Sequence, residues 1–525
     1  ETLRLMGEYL LAFDLGTTGN KAALVEASTG RIAATALSSY STYYTENGGA
    51  EQSPDDWWLS ATQCCRELKG KAPAEFADII AVGASGMMNG LVLIDKEGAA
   101  LAPALIHADV RGAAECKALE SQLGIKAIFA RTANRPDPHL TLPKAMWLIR
   151  KEPSIFKRAA YIVQAKDYLV GRLTGVVGLT DPSDACLTGG FDVRQREWVS
   201  NLWDAAGVPT RLLPRVAPST EIVGKITDAA AAETGLKSGI PVVMGGGDGA
   251  CATAGSGAAT GEAYNYLGGT SWIGLRLDQP LPDDRLSAYC ALDERVTVFG
   301  TVQAAGSSLE WLGQILDLPG EGFADMDEAA HKIPPGSGDL FFLPYLQGER
   351  APVWDVNARG VFFGLCSSHT RAHLFRAAME GVTFALLSIL DVFEENGHPL
   401  GSLRLLGGGA QSSLWRDVLA GIFDRELRIL QEASSATSLG AAMAAGVGVG
   451  AYTSISEAAR RMKIQGHVTP NPKLVAAYAP RYAFFQSLYP ALKDRFTALA
   501  ALSQLSSQAS HATRVDEREL RAIAL

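Results

Sequence analysis

The stretch YLLAFDLGTTGNKAALVE, residues 9–26, leaves few ways to fold. An apolar run reads as a buried strand, breaks on Asp14, passes through Gly16-Thr17-Thr18-Gly19 and returns apolar as a second strand. The same design starts over in AYNYLGGTSWIGLRL, residues 263–277, where a strand meets Gly268-Gly269-Thr270 and turns back. A chain of 525 residues is too long for one core, and the second copy falls where two domains would meet. Between the copies, strands such as ADIIAVGASG alternate with helical stretches. SPDDWWLSATQCCREL, for example, opens with Ser53 as cap and Pro54 at the first position. Mixed α/β layers follow from that alternation. In the second half, HTRAHLFRAAMEGVTFALLSILDVFEENG predicts a long amphipathic helix closing at Gly397.

A net charge of -9 with no block of Lys and Arg disfavours nucleic acid as a partner. The segment LGAAMAAGVGVGAY is too short and too rich in Ala and Gly to span a membrane. The N-terminal residues ETLRLMGEYLLAFD carry no signal-peptide pattern. Seven scattered cysteines, without C-x-x-C or a histidine at ligand spacing, argue against zinc and suit reduced thiols in a cytoplasm.

Glycines after a strand let backbone N–H groups converge on an anion, and threonine hydroxyls add donors without adding charge. Asp14 would repel bare phosphate, so it makes sense beside phosphate only with a divalent cation between them. Mg²⁺, which keeps its waters and takes few protein ligands, suits one carboxylate. The loop reads as a Mg²⁺-nucleotide phosphate site or as a plain hairpin turn. Neither a P-loop nor a G-x-G-x-x-G fingerprint is present, since GSGAATG has the wrong spacing. A third cluster, VVMGGGDGACATAGSG, places Asp248 after three glycines, as a base for a substrate hydroxyl or as a helix N-cap. A fourth, Gly407-Gly408-Gly409-Ala410, offers flat backbone beneath a purine or simply a strand–helix turn.

Taken in order, these stretches resemble the FGGY carbohydrate kinases, and within them the xylulokinase branch. DLGTTGNK and YLGGTSWIG are similar to the two phosphate motifs of the family, and GGGDGACATAGSG to the segment with its catalytic aspartate. TLPKAMWLIRKEP, ARGVFFGLCSSHTRAHLFRAAMEG, FLPYLQGERAPVWD and LLGGGAQSSLWRDVLAG add to the likeness, and TDPSDACLTGGFDVRQREW points to the branch. The resemblance implies an α/β fold with two actin-like, ribonuclease-H-like domains flanking a deep catalytic cleft. Residues 9–256 would form the N-terminal domain and 257–490 the nucleotide-binding one, with a tail at 491–525 either helical or disordered. It also implies ATP and Mg²⁺ as cofactors, and Asp248 as general base with Asp14 at the metal. Thr17, Thr18, Thr270, Gly306, Gly409, Ala410 and Ser413 would line ATP. Met88, Asn89, His107, Asp109, Arg111 and Gly249 would line a small sugar or polyol, with D-xylulose the first choice. A homodimer is left open.

Three positions depart from the pattern: Asn89 where the family has histidine, His107 where it tends to have tryptophan, and Gly249 where asparagine is frequent. Glycerol, ribulose, a tetritol or a sugar acid are therefore alternative acceptors. A sugar-independent actin-like ATPase and a catalytically silent sugar sensor are the readings outside the kinase class. Asp109 and Arg111 are also expected to be able to pair with each other.

Overall fold

The structure, a computed structural model, describes residues 7–45, 47–316 and 323–523, with side chains through residue 502 except at 323 and 324. The first half is built on β1 (Tyr9–Leu15), β2 (Gly19–Glu26), β3 (Ile32–Ser39) and β4 (Ile79–Gly86), followed by β5 (Ile222–Lys225), β6 (Pro241–Val243) and β7 (Gly246–Gly247). They form one seven-stranded sheet in the order β5-β6-β4-β1-β2-β3, with β7 also paired to β4. The continuous apolar run of β1 is explained by its central place, because its residues Leu10–Phe13 are wholly buried between layers.

The second half repeats this plan. Its strands are β8 (Ala263–Leu267), β9 (Ser271–Leu277), β10 (Ser287–Cys290), β11 (Val296–Val302), β12 (Ser402–Leu406), β13 (Glu426–Leu430) and β14 (Ile464–Val468). Their order is β10-β11-β9-β8-β12-β13-β14. In both sheets the first strand of the glycine hairpin runs antiparallel to the second and parallel to the strand on its other side. The sequence-level repeat is thus a repeat of topology, and the duplicated actin-like architecture implied by the resemblance is the one found.

Two helices join the halves. α1 (Asp248–Ser256) follows β7, and α2 (Ala436–Gly448), formed by the Ala/Gly-rich segment, follows β13. Small residues bring their backbones together: a Cβ on Gly255 would lie 1.8 Å from the Ala436 carbonyl oxygen, and one on Gly440 2.0 Å from that of Cys251. α2 also packs on β1 and β4, so it is apolar all round because it is buried all round. Among the described residues no helix is long and apolar enough to cross a membrane.

Other expectations need adjustment. Ser53 stands at the N-cap of the helix Pro54–Lys71, but its hydroxyl makes no capping bond. The long helix, α3 (Arg371–Glu395), ends one residue before the expected cap: Asn396 caps it and Gly397 lies beyond, at φ +82°. The final helix, α4, runs unbroken from Pro472 to Ile523, so the segment after residue 490 continues a helix already docked on the second half.

Candidate active site

Asp14 is the penultimate residue of β1. In register it faces Lys21 of β2 on one side and Ser85 of β4 on the other, and Ser85 in turn faces Gly246 of β7. Two residues further, Asp248 opens α1 as its first helical residue; Gly247 holds the N-cap position, so the capping reading of Asp248 is corrected. Its Oδ1 accepts the Gly249 N–H at 2.7 Å. Sharp turning at Gly245 makes this possible: it adopts φ +71°, and a Cβ there would lie 1.8 Å from the Ala84 carbonyl oxygen.

Both carboxyls keep part of their surface open while protein encloses the rest. Burial pushes Asp14 up to about 6, against the pull of Lys21. Burial and then the Asp14 charge push Asp248 up to about 7. The phenol of Tyr266, in the second half beside Gly268, rises to about 12 through burial and then through Asp14 and Asp248 together. The two acids and the second hairpin therefore border one space.

The first loop is a tight hairpin, with Gly16 N–H donating to Gly19 O at 3.0 Å. Tyr40 and Gln52 hold it from behind by donating to the carbonyls of Gly16 and Thr17 at 2.5 and 2.7 Å. Thr17 remains half-buried and Thr18 exposed. In the second loop Gly268 N–H donates to Thr270 O at 3.0 Å, and Gly306 N–H donates to Gly268 O at 2.9 Å. Thr270 is exposed there. Gly409 touches the same loop, since a Cβ on it would lie 2.5 Å from Leu267 Cγ. Ala410 is buried, and Ser413 is an exposed first residue of the helix Ser413–Phe423. Thr270, Gly306 and Gly409 thus share a wall, whereas Ala410 faces the interior.

On the acceptor side, Met88 fills the space a Cβ at 247 would need, and Asn89 turns with φ +68° and a buried Oδ1 that has no partner. Burial, with Lys144 next, lowers His107 to about 3, so its imidazole is neutral. Asp109 is fully buried. Its oxygens accept the Ala50 N–H and three N–H groups of Arg111, which also reaches Glu51 at 2.6 Å. Asp109 and Arg111 are thus paired, as the sequence allowed, with three of the four hydrogen bonds falling on Asp109 Oδ2. Gly249 has its own reason: a Cβ there would lie 3.1 Å from the ring of Tyr289, whose hydroxyl donates to Gly249 O at 3.0 Å.

Several supporting residues escape the sequence reading. Ser183 Oγ accepts the Gly247 N–H at 2.9 Å and donates to Asp181 at 2.6 Å. Behind it, Lys166 is the one cation among Asp167, Asp181 and Asp184, at 2.5, 3.2 and 3.2 Å, all of them buried. Burial holds Asp184 well above the ordinary carboxylate range. Lys144, also buried, donates to the carbonyls of Asn89 and His139. TDPSDACLT carried Asp181, Ser183 and Asp184, and TLPKAMW carried Lys144, but only as markers of likeness; Lys166 and Asp167 lie outside both stretches.

Two family descriptions match the chain: the N-terminal domain of the FGGY family of carbohydrate kinases over residues 9–255, and the C-terminal domain over 263–449. The chain belongs to this family, whose members are ATP-dependent phosphotransferases. A xylulose kinase of Bacillus subtilis (strain 168) is 31% identical over 498 residues, covering 94% of this chain and 99% of that protein. The ligand-bound xylulose kinase of Lactobacillus acidophilus superimposes with a TM-score of 0.86 at 27% identity, over 94% of this chain and 100% of that one. A gluconate kinase from Lactobacillus acidophilus gives a TM-score of 0.86 at 26% identity, over 94% and 99%.

Proposed function

We propose that the chain transfers the γ-phosphoryl group of ATP to a hydroxyl of a ketopentose or related polyol, D-xylulose first. The observation that carries this reading is Asp248, a carboxyl raised to about 7 at the end of a glycine loop, beside Asp14 and near the second hairpin. Asp248 takes the proton of the acceptor hydroxyl as that oxygen bonds to phosphorus and ADP leaves. Thr17 and Thr18 from one side and Thr270 from the other hold the phosphates with backbone amides. Gly306, Gly409 and Ser413 line the nucleotide, with Ala410 packed behind them, and Met88, Asn89, His107, Arg111 and Gly249 line the acceptor.

Two hard carboxylates bordering one space, with the Asp14 charge disfavouring ionised Asp248, fit a divalent cation, with Asp14 as its holder. Mg²⁺ bound there would offset phosphate charge. Enclosure of the site limits water as a competing acceptor.

The test is a panel of acceptors, among them D-xylulose, ribulose, glycerol, erythritol and gluconate, in a coupled ADP-release assay. Acceptor-dependent ADP release with D-xylulose in front is expected. ATPase activity indifferent to every acceptor would instead favour the actin-like ATPase reading.

A further inference from the structure

The second half reaches the acceptor side through Gln303, one residue past β11 and three before Gly306. Its backbone N–H donates to Glu349 Oε1 at 3.1 Å, and its side-chain Nε2 lies 3.3 Å from Nε2 of His139 in the first half. The other ring nitrogen of His139 is 2.6 Å from Asp137 Oδ1. Burial would raise Asp137, but the charge of Arg350 and the contacts to His139 overcome it and keep the carboxyl ionised. Asp137 Oδ1 thus faces Nδ1 of His139, and the amide of Gln303 faces its Nε2. Gln303 turns its amide nitrogen toward His139, and its carbonyl oxygen is the other end of the same amide. The backbone carbonyls of His139 and Asn89 meet on Lys144 Nζ, so Gln303 and Asn89 belong to one connected wall.

Two further polar ends in this wall are buried without partners, Asn89 Oδ1 and Glu349 Oε2. Glu349 is 4% exposed, and its Oε1 already accepts the N–H groups of Gln303 and Arg350. Burial pushes its carboxyl up to about 8, so near neutral pH the proton sits on Oε2 as a donor. The cations around the wall are engaged: Lys144 with carbonyls, Arg350 with Asp137 at 2.8 Å, and Arg111 with Asp109 and Glu51.

We propose that Gln303 and Glu349 complete the acceptor pocket together with Asn89, and that this uncharged set selects a neutral polyol or ketose over a sugar acid. The inference rests on the kinase reading above. Two carbonyl oxygens and one O–H match hydroxyl groups, which both donate and accept. A carboxylate wants donors alone, and here it would meet two carbonyl oxygens with Asp14 and Asp248 close by.

Steady-state kinetics and calorimetric acceptor binding on the full chain test this, using D-xylulose, erythritol and gluconate with the parent, Gln303→Leu, Glu349→Gln and Glu349→Leu. Gln303→Leu should weaken binding of the neutral acceptor and raise its KM about tenfold or more, with KM for ATP unchanged within about twofold. Glu349→Gln, which keeps a neutral donor, should retain most of the affinity that Glu349→Leu loses. Should Glu349→Leu fail to fold, the half-buried Gln303 carries the test. Gluconate as the better acceptor, or an unaltered acceptor KM in Gln303→Leu, overturns the proposal while leaving a kinase. If no acceptor is phosphorylated the kinase reading fails, and absence of calorimetric binding by both neutral compounds then overturns this proposal as well.

Discussion

The two sheets share strand order and direction, yet the ends of equivalent strands carry opposite chemistry. Where β1 delivers Asp14 into its hairpin, β8 delivers Tyr266; where β4 leads into Met87-Met88-Asn89, β12 leads into Gly407-Gly408-Gly409. The helix after β7 opens on Asp248, while its counterpart α2 opens on Ala436. Acids and bulky side chains thus gather in the first half, and neutral, flat backbone in the second. A symmetric pair of acid-bearing hairpins would place extra negative charge around a polyphosphate. Specialisation of one copy keeps the charge in the first half, where the proposed proton transfer and cation would need it.

The largest test of that division is Asp248→Ala, which should lower phosphoryl transfer about 10²–10⁴-fold in the ADP-release assay. Thr270→Ala, on the other hairpin, removes one hydroxyl from a site also served by backbone amides and should cost only about tenfold. Equal losses would break the comparison.

Buried charge offers the next test. Lys166 balances three acids in the first half, whereas in the second half Arg376 faces Glu380 alone, at 2.9 Å, with Tyr478 on both. Lys166→Met should destabilise by about 3–5 kcal/mol in urea unfolding, more than Arg376→Met does. A larger effect at Arg376 would place the more heavily charged core in the wrong half.

The pH response separates the halves further. Asp14 and Asp248 have folded values above their unfolded ones, so the stability they add is complete below about pH 4 and is lost as pH rises through 6 to 7. Asp248→Asn should therefore stabilise the protein by up to about 4 kcal/mol at pH 8 and change nothing near pH 3.5. Tyr266→Phe, at the position equivalent to Asp14, should show no such slope between those limits. Thermal melts across pH read both. In the parent enzyme kcat/KM should climb through about pH 7 as Asp248 ionises.

What the sequence made legible depended on chain distance. The glycine loops, Asp14 and Asp248 were readable because strand, turn and carboxylate are adjacent in sequence. The pairing of Asp109 with Arg111 was readable for the same reason, two residues apart. Lys166 with Asp181, Gln303 with His139, and Tyr289 over Gly249 were not, because folding alone brings such partners together. Ser53 shows the limit of local rules: it occupies a cap position without making the bond.

That failure supplies the smallest test. Ser53→Ala should change stability by less than about 0.5 kcal/mol, whereas Ser412→Ala should cost about 1 kcal/mol. Ser412 Oγ in the second half accepts the Trp415 N–H at 3.0 Å and donates to Asp327 at 2.6 Å. Chemical denaturation of the two variants gives the comparison directly.

The ring of Tyr289 above Gly249 has an evolutionary corollary. A side chain at 249 would press on the Tyr289 ring, and a smaller residue at 289 would by itself leave a hole and strip a bond from the backbone next to Asp248. The two positions are coupled through this contact, so an exchange at one changes the room and the hydrogen bond available at the other. Directed evolution of acceptor range in this enzyme should accordingly recover changes at 249 and 289 as a linked pair.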